Sequence, residues 1–330
     1  MSRERGESIK SLVRAYPNER LLVIPPLWTR RHLDLLKCRF ETDTNKIHTA
    51  SVSTYEGHRD HRHESDGSSS QTWFAIPSDA ELLSKSQNLK MKRSAMGRLL
   101  AYPESLFRES SDILRFFYAK RPVYQQRLLV FLLQGGNHIN SCPVVYVDYA
   151  DITASRTRLL RSKPDGNVIL KELQDWTEDP ILVSIMISVA QKQAHPSISH
   201  LSKNAAKFPS SSRESAILVP RLLVTNREDI ENIHFYEALV PRDFLRKFDQ
   251  PRYRSPDGIS MKHLKIPFKP YESLADRVIT LLIKSPFLEH RKIMDIYGKA
   301  PTNPENDDKK RKRGMTEDHH DIGWKKRSRQ

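Results

Sequence analysis

The chain has 330 residues, of which 38% are hydrophobic and 29% are charged. That length is sufficient for one large domain or two ordinary ones, and its apolar runs exclude a wholly disordered chain. No window reaches the roughly 18 consecutive apolar residues of a membrane span, and the polar N-terminus resembles no secretory signal. We therefore expect neither membrane insertion nor secretion.

The net charge is strongly positive, because 55 Lys and Arg residues stand against 40 Asp and Glu residues, which gives +15. A surplus of this size favours polyanionic partners, such as nucleic acid or acidic protein surfaces. The alternative is that the positive charge has no binding role and only keeps the protein soluble. Cys38 and Cys142 form neither a metal-ligand spacing nor a disulfide framework, which favours a reducing compartment.

The N-terminal region, residues 1–40, is predicted to hold one strand and one helix. An apolar run at residues 20–24 is ended by two prolines and predicts the strand. Apolar residues at helical spacing predict the helix over residues 28–40. Residues 41–70 are rich in Thr, Ser, Asp, His and Gly, so they predict a flexible polar linker.

Residues 71–298 are predicted to form the basic core domain. Residues 71–140 have a mainly helical pattern, and residues 105–120 in particular predict a helix with one buried stripe. Residues 123–133 are apolar and fit a helix or a strand equally well.

The later elements of the core follow from periodicity and turn signals. In chain order they are strands at 144–149 and 167–173, a helix at 180–194, a hairpin of 217–225 and 233–240, a short helix from Pro241, a strand at 259–267 and a helix at 271–284. This order predicts an α+β fold, with mixed α/β as the alternative, in which helices pack on a mixed sheet.

The C-terminal segment, residues 299–330, is predicted to be a disordered tail that carries a bipartite-like nuclear localisation signal. Its two basic clusters are Lys309, Lys310, Arg311, Lys312 and Arg313, followed by Lys325, Lys326, Arg327 and Arg329. Basic runs in an extended chain can pair with the acidic groove of a nuclear import receptor. We therefore predict a nuclear protein, with a polybasic tail for RNA or anionic lipid as the alternative.

The folded part is basic in its own right. The tail contributes +4, and subtracting this from +15 leaves +11 on residues 1–298. Basic residues lie beside aromatic residues in one stretch, and the candidate nucleic-acid contacts there are Arg242, Arg246, Lys247, Arg252 and Arg254. Arginines and aromatic faces together suit single-stranded nucleic acid. The interpretation we favour for this stretch is a short helix with buried Phe244 and Phe248 and a solvated basic face.

A metal-dependent nuclease is the enzymatic alternative. Asp148, Asp151 and Glu172 follow two predicted strands, in an order that loosely resembles the restriction-endonuclease-like nucleases, whose carboxylates hold Mg²⁺. Lys171 and Glu172 are adjacent, however, so they point to opposite faces of a regular strand and form no Glu-x-Lys triplet. The sequence therefore favours a non-catalytic protein without a cofactor, or a degenerate relative of these nucleases.

Two stretches resemble a family of uncharacterised filamentous-fungal proteins over about residues 175–285. The first runs from Asp179-Pro180-Ile181-Leu182-Val183 to Ala190-Gln191, and the second contains Phe235-Tyr236-Glu237-Ala238, Pro241, Phe244-Leu245, Lys247-Phe248-Asp249 and Pro251. The resemblance implies a fungal source and no particular activity. Our reading is a nuclear protein that contacts DNA or RNA through a basic domain, with a protein–protein adaptor as a further alternative.

Overall fold

The computed structural model describes residues 6–42, 78–103, 105–110, 113–134, 143–161, 175–194 and 217–284. Most of the predicted linker, the strand predicted at 167–173 and the whole tail therefore lie outside the described residues. The chain divides into two compact units, residues 1–282 and residues 283–330, and the sheet with its packed helices belongs to the first.

A seven-stranded mixed sheet forms the centre of this unit, and its strands lie in the order β1-β11-β9-β8-β6-β5-β2. The strands are β1 (Cys38–Thr42), β2 (Phe107–Ser110), β5 (Leu129–Leu133), β6 (Val144–Asp148), β8 (Arg221–Asn226), β9 (Asp229–Ala238) and β11 (Ile259–Pro267). The pairs β1–β11 and β6–β8 are parallel, and the other neighbours are antiparallel. Two short ribbons stand apart from the sheet: β3 (Leu114–Tyr118) with β4 (Arg121–Gln126), and β7 (Ile217–Leu218) with β10 (Val240–Pro241).

Helices cover both faces of the sheet, so the predicted α+β class is confirmed. On one face lie α1 (Ile9–Ala15), α2 (Arg30–Leu36), α5 (Tyr149–Leu160), α6 (Pro180–Ala194) and α7 (Arg242–Asp249). On the other face lie α3 (Asp79–Lys85), α4 (Leu89–Leu100) and α8 (Leu274–Lys284). None of the helices described is long and apolar enough to cross a membrane.

Helix α6 is the central element of the first core, and it has the bounds that the sequence predicts. Every residue from 180 to 191 is buried, as expected for a helix that is apolar all round. Asp179 begins the helix, because its Oδ1 accepts a hydrogen bond of 2.9 Å from the backbone N–H of Ile181. Pro180 then occupies the first turn, where its missing N–H costs nothing.

The helix predicted at residues 105–120 is wrong, because this segment forms strand β2 and strand β3. Leu114 and Phe116 point into the core while Arg115 is exposed, which is the two-residue alternation of a strand. The turn from β3 into β4 places Ala119 at φ 49° and Lys120 at φ 63°. Turns of this hand normally carry Asn or Gly, so the sequence lacks the usual hairpin signal.

The strand predicted at residues 20–24 is also wrong. Leu22 is 60% exposed, and the following prolines form the 3-10 turn Pro25–Leu27 instead of ending a strand. The chain is fixed there by the indole N–H of Trp28, which donates to the carbonyl of Val23 at 3.3 Å. Helix α2 then ends earlier than predicted, because Lys37 adopts a left-handed conformation with φ 58° and directs the chain into β1.

Candidate nucleic-acid interface

Asp148, one of the predicted metal ligands, lies at the end of β6, and both of its carboxylate oxygens accept hydrogen bonds from protein groups. Its Oδ1 accepts the backbone N–H of Ala150 at 3.0 Å and so caps helix α5. Its Oδ2 accepts from the ammonium of Lys92 and the hydroxyl of Thr225, each at 2.8 Å. The side chains of Lys92 and Asp148 are both 3% exposed. This carboxylate is therefore a buried structural group.

Asp151 has a cationic partner different from that of Asp148. Its Oδ2 pairs instead with the guanidinium of Arg93 on α4 at 2.7 Å. Glu172 lies outside the described residues. Within the described ranges, no group of three or more His, Cys, Asp or Glu side chains is arranged to hold a metal ion. The geometry at Asp148 and Asp151 thus gives the nuclease alternative no support.

In the basic stretch around α7, the two phenylalanines of the helix lie inside the protein. Phe244 and Phe248 are buried, as in the interpretation that we favoured from the sequence. Lys247, which was one of the predicted nucleic-acid contacts, is buried as well, and its ammonium donates to the carbonyl of Asp257 at 2.7 Å. The guanidinium of Arg246 is exposed and lies 4.2 Å from the ring centroid of Tyr253.

Of the other predicted contacts in this stretch, Arg252 and Arg254 are exposed, while Arg242 is half-buried. The buried phenylalanines leave these side chains no stacking platform on α7, and the half-exposed ring of Tyr253 in this stretch is covered in part by Arg246. The prediction of nucleic-acid contact therefore has to be considered elsewhere on the molecule.

A large open cleft lies on the other side of the protein, beside α4 and the edge of the sheet. Its volume is about 1100 Å³, and we call it the arginine cleft after four of its lining residues, Arg93, Arg98, Arg108 and Arg127. The lining contains one acidic residue, Glu109. The ring of Tyr102 also lines the cleft, and this residue is 44% exposed.

Among the residues that the structure describes, two of the four arginines have carboxylate partners and two do not. Arg93 pairs with Asp151 at 2.7 Å, and Nε of Arg98 is 2.9 Å from Oδ1 of Asp79. Arg108 and Arg127 are exposed and form no ion pair with any residue that the structure describes. A guanidinium has five N–H donors, so the paired arginines also retain donors for a ligand.

Two of the segments that border the arginine cleft contain basic residues and no acidic residue. Helix α4 contains four Lys and Arg residues and no acidic residue. Residues 113–134, which include the β3–β4 ribbon, contain four more and again no acidic residue. Arg115 and Arg121 are exposed on the ribbon, so the positive surface continues beyond the cleft itself.

The ribbon is held firmly enough to present these charges in a fixed place. The side-chain amide of Gln191 on α6 accepts from the backbone N–H of Phe117 and donates to its carbonyl, both at 2.9 Å. At the turn, the backbone N–H of Ala119 donates to the carbonyl of Phe248 at 2.7 Å. These three contacts fix β3 to α6 and to the end of α7.

A chain of hydrogen bonds in the first half of β9 and on its neighbour β11 is a second polar cluster that the sequence did not reveal. Nε2 of His234 is 2.8 Å from Oδ2 of Asp229, and its Nδ1 is 2.8 Å from Nε2 of His263. A carboxylate only accepts, so we assign the proton of His234 to Nε2 and that of His263 to its own Nε2. Trp176 packs on His234 and Tyr236 stacks on His263, with ring centroids 4.4 Å and 4.6 Å apart.

Both imidazoles are held in the neutral form. The pKa of His263 is lowered to about 4, chiefly by burial and in addition by His234 and Lys265. Burial also lowers the pKa of His234, although Asp229 opposes this effect. Only the pairing of β9 with β11 brings the two rings together, and this pairing joins residues 29 positions apart, which no local pattern predicts.

Comparison with known proteins gives no relative to guide the assignment: no family model, curated protein or solved structure matches this chain. The resemblance to fungal proteins stays a prediction. The functional argument therefore rests on the geometry and charge of the described surface.

Proposed function

We propose that this chain is a nuclear protein that binds single-stranded nucleic acid in the arginine cleft. The observation that carries the proposal is a cleft of about 1100 Å³ that combines four arginines with an exposed tyrosine ring. A basic groove with an aromatic platform is the usual arrangement for unpaired strands, in which phosphates pair with guanidinium groups and bases stack on rings.

The concave shape favours an unpaired strand over a duplex. A duplex presents its phosphates on a convex surface and keeps its bases stacked inside, so it gains little from a tyrosine within a cleft. An unpaired strand can lay a base on the ring of Tyr102 while Arg108 and Arg127 pair with the flanking phosphates. Polyanions of the same charge without bases would lose the stacking contribution of about 1–3 kcal/mol per base.

We expect the double variant Arg108→Glu/Arg127→Glu to bind a labelled 12-nucleotide single strand about 30-fold more weakly than the unchanged protein at moderate salt. Both side chains are exposed, so the loss comes from phosphate contacts and not from the fold. The measurement is fluorescence anisotropy with the full chain over a salt series. The slope of log K against log salt should also become less steep by about 1.4, because two phosphate contacts are lost and each contributes ~0.7.

The matched control is Arg252→Glu/Arg254→Glu, which changes the net charge equally at two exposed positions on the other basic stretch. This control should lose less than a few-fold in affinity. Equal losses in both variants would show that net charge alone attracts the strand, and the cleft assignment would be wrong. A duplex that binds the unchanged protein as tightly as the single strand would contradict the preference for unpaired strands.

Nuclear localisation is part of the proposal and rests on the two basic clusters of the tail. A cytoplasmic reporter fused to residues 299–330 is expected to accumulate in the nucleus, because the clusters pair with an import receptor. The control fusion replaces Lys310, Arg311 and Lys312 with alanine and should remain cytoplasmic. If the reporter with the intact tail stays in the cytoplasm, the proposal of nuclear localisation is wrong, and the assignment of the arginine cleft is not affected.

A further inference from the structure

A small apolar cavity lies beside the β3–β4 ribbon. It has a volume of about 210 Å³, and its walls come from α1, residues 21–24, α2, the ribbon and α7. We call it the N-terminal cavity. Leu22 and Val123 stand at its rim and are 60% and 40% exposed, which is unusual for large apolar side chains at one place.

The lining offers little to water. Fourteen residues line the cavity, and apart from Trp28, His32 and Tyr118 they have purely hydrocarbon side chains. The indole N–H of Trp28 is already bonded to the carbonyl of Val23. A stable buried water needs about two to four polar partners, and protein interiors leave few voids larger than one water. The space is therefore suited to an apolar occupant.

His32 is the polar group that indicates what kind of occupant this is. It is 92% buried, because its exposed fraction is 8%, and it lines the cavity. Its Nδ1 accepts the backbone N–H of Thr29 at 3.0 Å, so the proton of the neutral ring lies on Nε2. Nε2 has no hydrogen-bond partner of ordinary geometry. The backbone of Arg20 is a looser neighbour that favours the protonated ring, and Nε2 can exchange this contact for a better acceptor.

The ring has no charge with which to attract an anion, because burial lowers the pKa of His32 and keeps it neutral near pH 7. The donor therefore matches a neutral acceptor better than a carboxylate. An apolar cavity of about 150 Å³ is known to hold benzene, so the present volume fits one six-membered ring with a short substituent.

We propose that the N-terminal cavity binds a small, uncharged and mainly apolar molecule that has one hydrogen-bond acceptor, which receives the N–H of His32. An aromatic ketone is the simplest representative of this class. The ring fills the hydrocarbon part of the cavity, and the carbonyl oxygen lies at Nε2. This site is independent of the arginine cleft, so either assignment can fail without the other.

The test compares acetophenone with ethylbenzene, which has a similar size and shape but no acceptor, by ligand-observed NMR titration of the full chain. Both are expected to bind, because both bury a ring. The ratio of their affinities is then measured again in His32→Phe, which has no donor. We expect the preference for acetophenone to fall at least fivefold in this variant, since one hydrogen bond is lost. Using the ratio cancels the difference in hydration of the two ligands.

A second variant tests the location of the site even if His32→Phe does not fold. Leu22→Ser changes an exposed rim residue and should weaken both ligands to a similar extent without affecting the core. Benzoate should bind the unchanged protein more weakly than acetophenone. Three results would overturn the proposal: neither neutral ligand binds at millimolar concentration, Leu22→Ser has no effect on either, or His32→Phe leaves the ratio unchanged.

Discussion

Replacing Asp179 with alanine is expected to lower the free energy of unfolding by about 3–5 kcal/mol, because it leaves a buried guanidinium without its counter-charge. Arg156 makes two bonds to this carboxylate, at 2.5 Å and 2.6 Å, and the side chains are 1% and 0% exposed. Tyr149 donates to the same group at 2.7 Å. The variant also loses the bond that begins α6, the helix around which the first core is packed.

The measurement is urea unfolding followed by circular dichroism, with Glu178→Ala as the matched control. Glu178 is the preceding residue and also pairs with an arginine, but its side chain is 36% exposed and that of Arg30 is 59% exposed. Exposed pairs of this kind contribute about 0–1 kcal/mol. A similar loss in both variants would mean that the buried pair is not the reason for the stability.

A third variant separates charge from packing. Arg156→Leu/Asp179→Leu removes both charges together, and replacing a buried ion pair with apolar residues is often close to neutral. We therefore expect the double variant to be more stable than Asp179→Ala. If it is less stable, the additional bonds of the cluster, such as the one from Nε of Arg156 to the carbonyl of Pro26 at 2.8 Å, contribute more than the charge balance does.

The parts of the fold that could be predicted from the sequence are those whose signals are local. Residues 180–194 form a largely apolar run that begins at a capping Asp and a Pro, and residues 259–267 show the imperfect two-residue alternation of a strand, so both elements have the predicted bounds. The helix predicted at residues 105–120 is wrong because β2 is selected by its pairing with β5 across the sheet, and β3 by its pairing with β4 in the separate ribbon. The turn at Ala119 and Lys120 also lacks the Asn or Gly that would have indicated a hairpin in the sequence.

The candidate site could not be predicted for a related reason. A search for basic residues close to aromatic ones in the chain finds residues 242–254, where helical periodicity turns the phenylalanines into the core. The arginine cleft instead collects side chains from α4, from β2 and from the segment after β4, and Tyr102 joins them from a fourth position. Composition indicates that a basic surface exists, while only the packing of α4 against the sheet edge determines where it is.

Acidification is the condition under which the hydrogen-bonded histidine pair should matter most. An unfolded histidine has a pKa of about 6.5, whereas the pKa of His263 in the folded protein is about 4. Between these values the unfolded chain binds more protons than the folded one, so stability is complete above pH 6.5 and falls as the pH drops towards 4. His263 alone should account for a loss of about 2 kcal/mol at pH 5 and about 3 kcal/mol at pH 4.

Burial determines the sign of this effect, because the charges around His263 act in opposite directions. His234 and Lys265 disfavour a charge on His263, Asp175 and Asp229 favour it, and burial outweighs all of them. The variant His263→Gln keeps a donor for Nδ1 of His234 but cannot take up a proton. We expect its unfolding free energy to fall by about 2 kcal/mol less than that of the unchanged protein between pH 7.5 and pH 5. An NMR titration in which His263 gains its proton near pH 6.5 would contradict this account, because the buried pair would then impose no penalty on the charge.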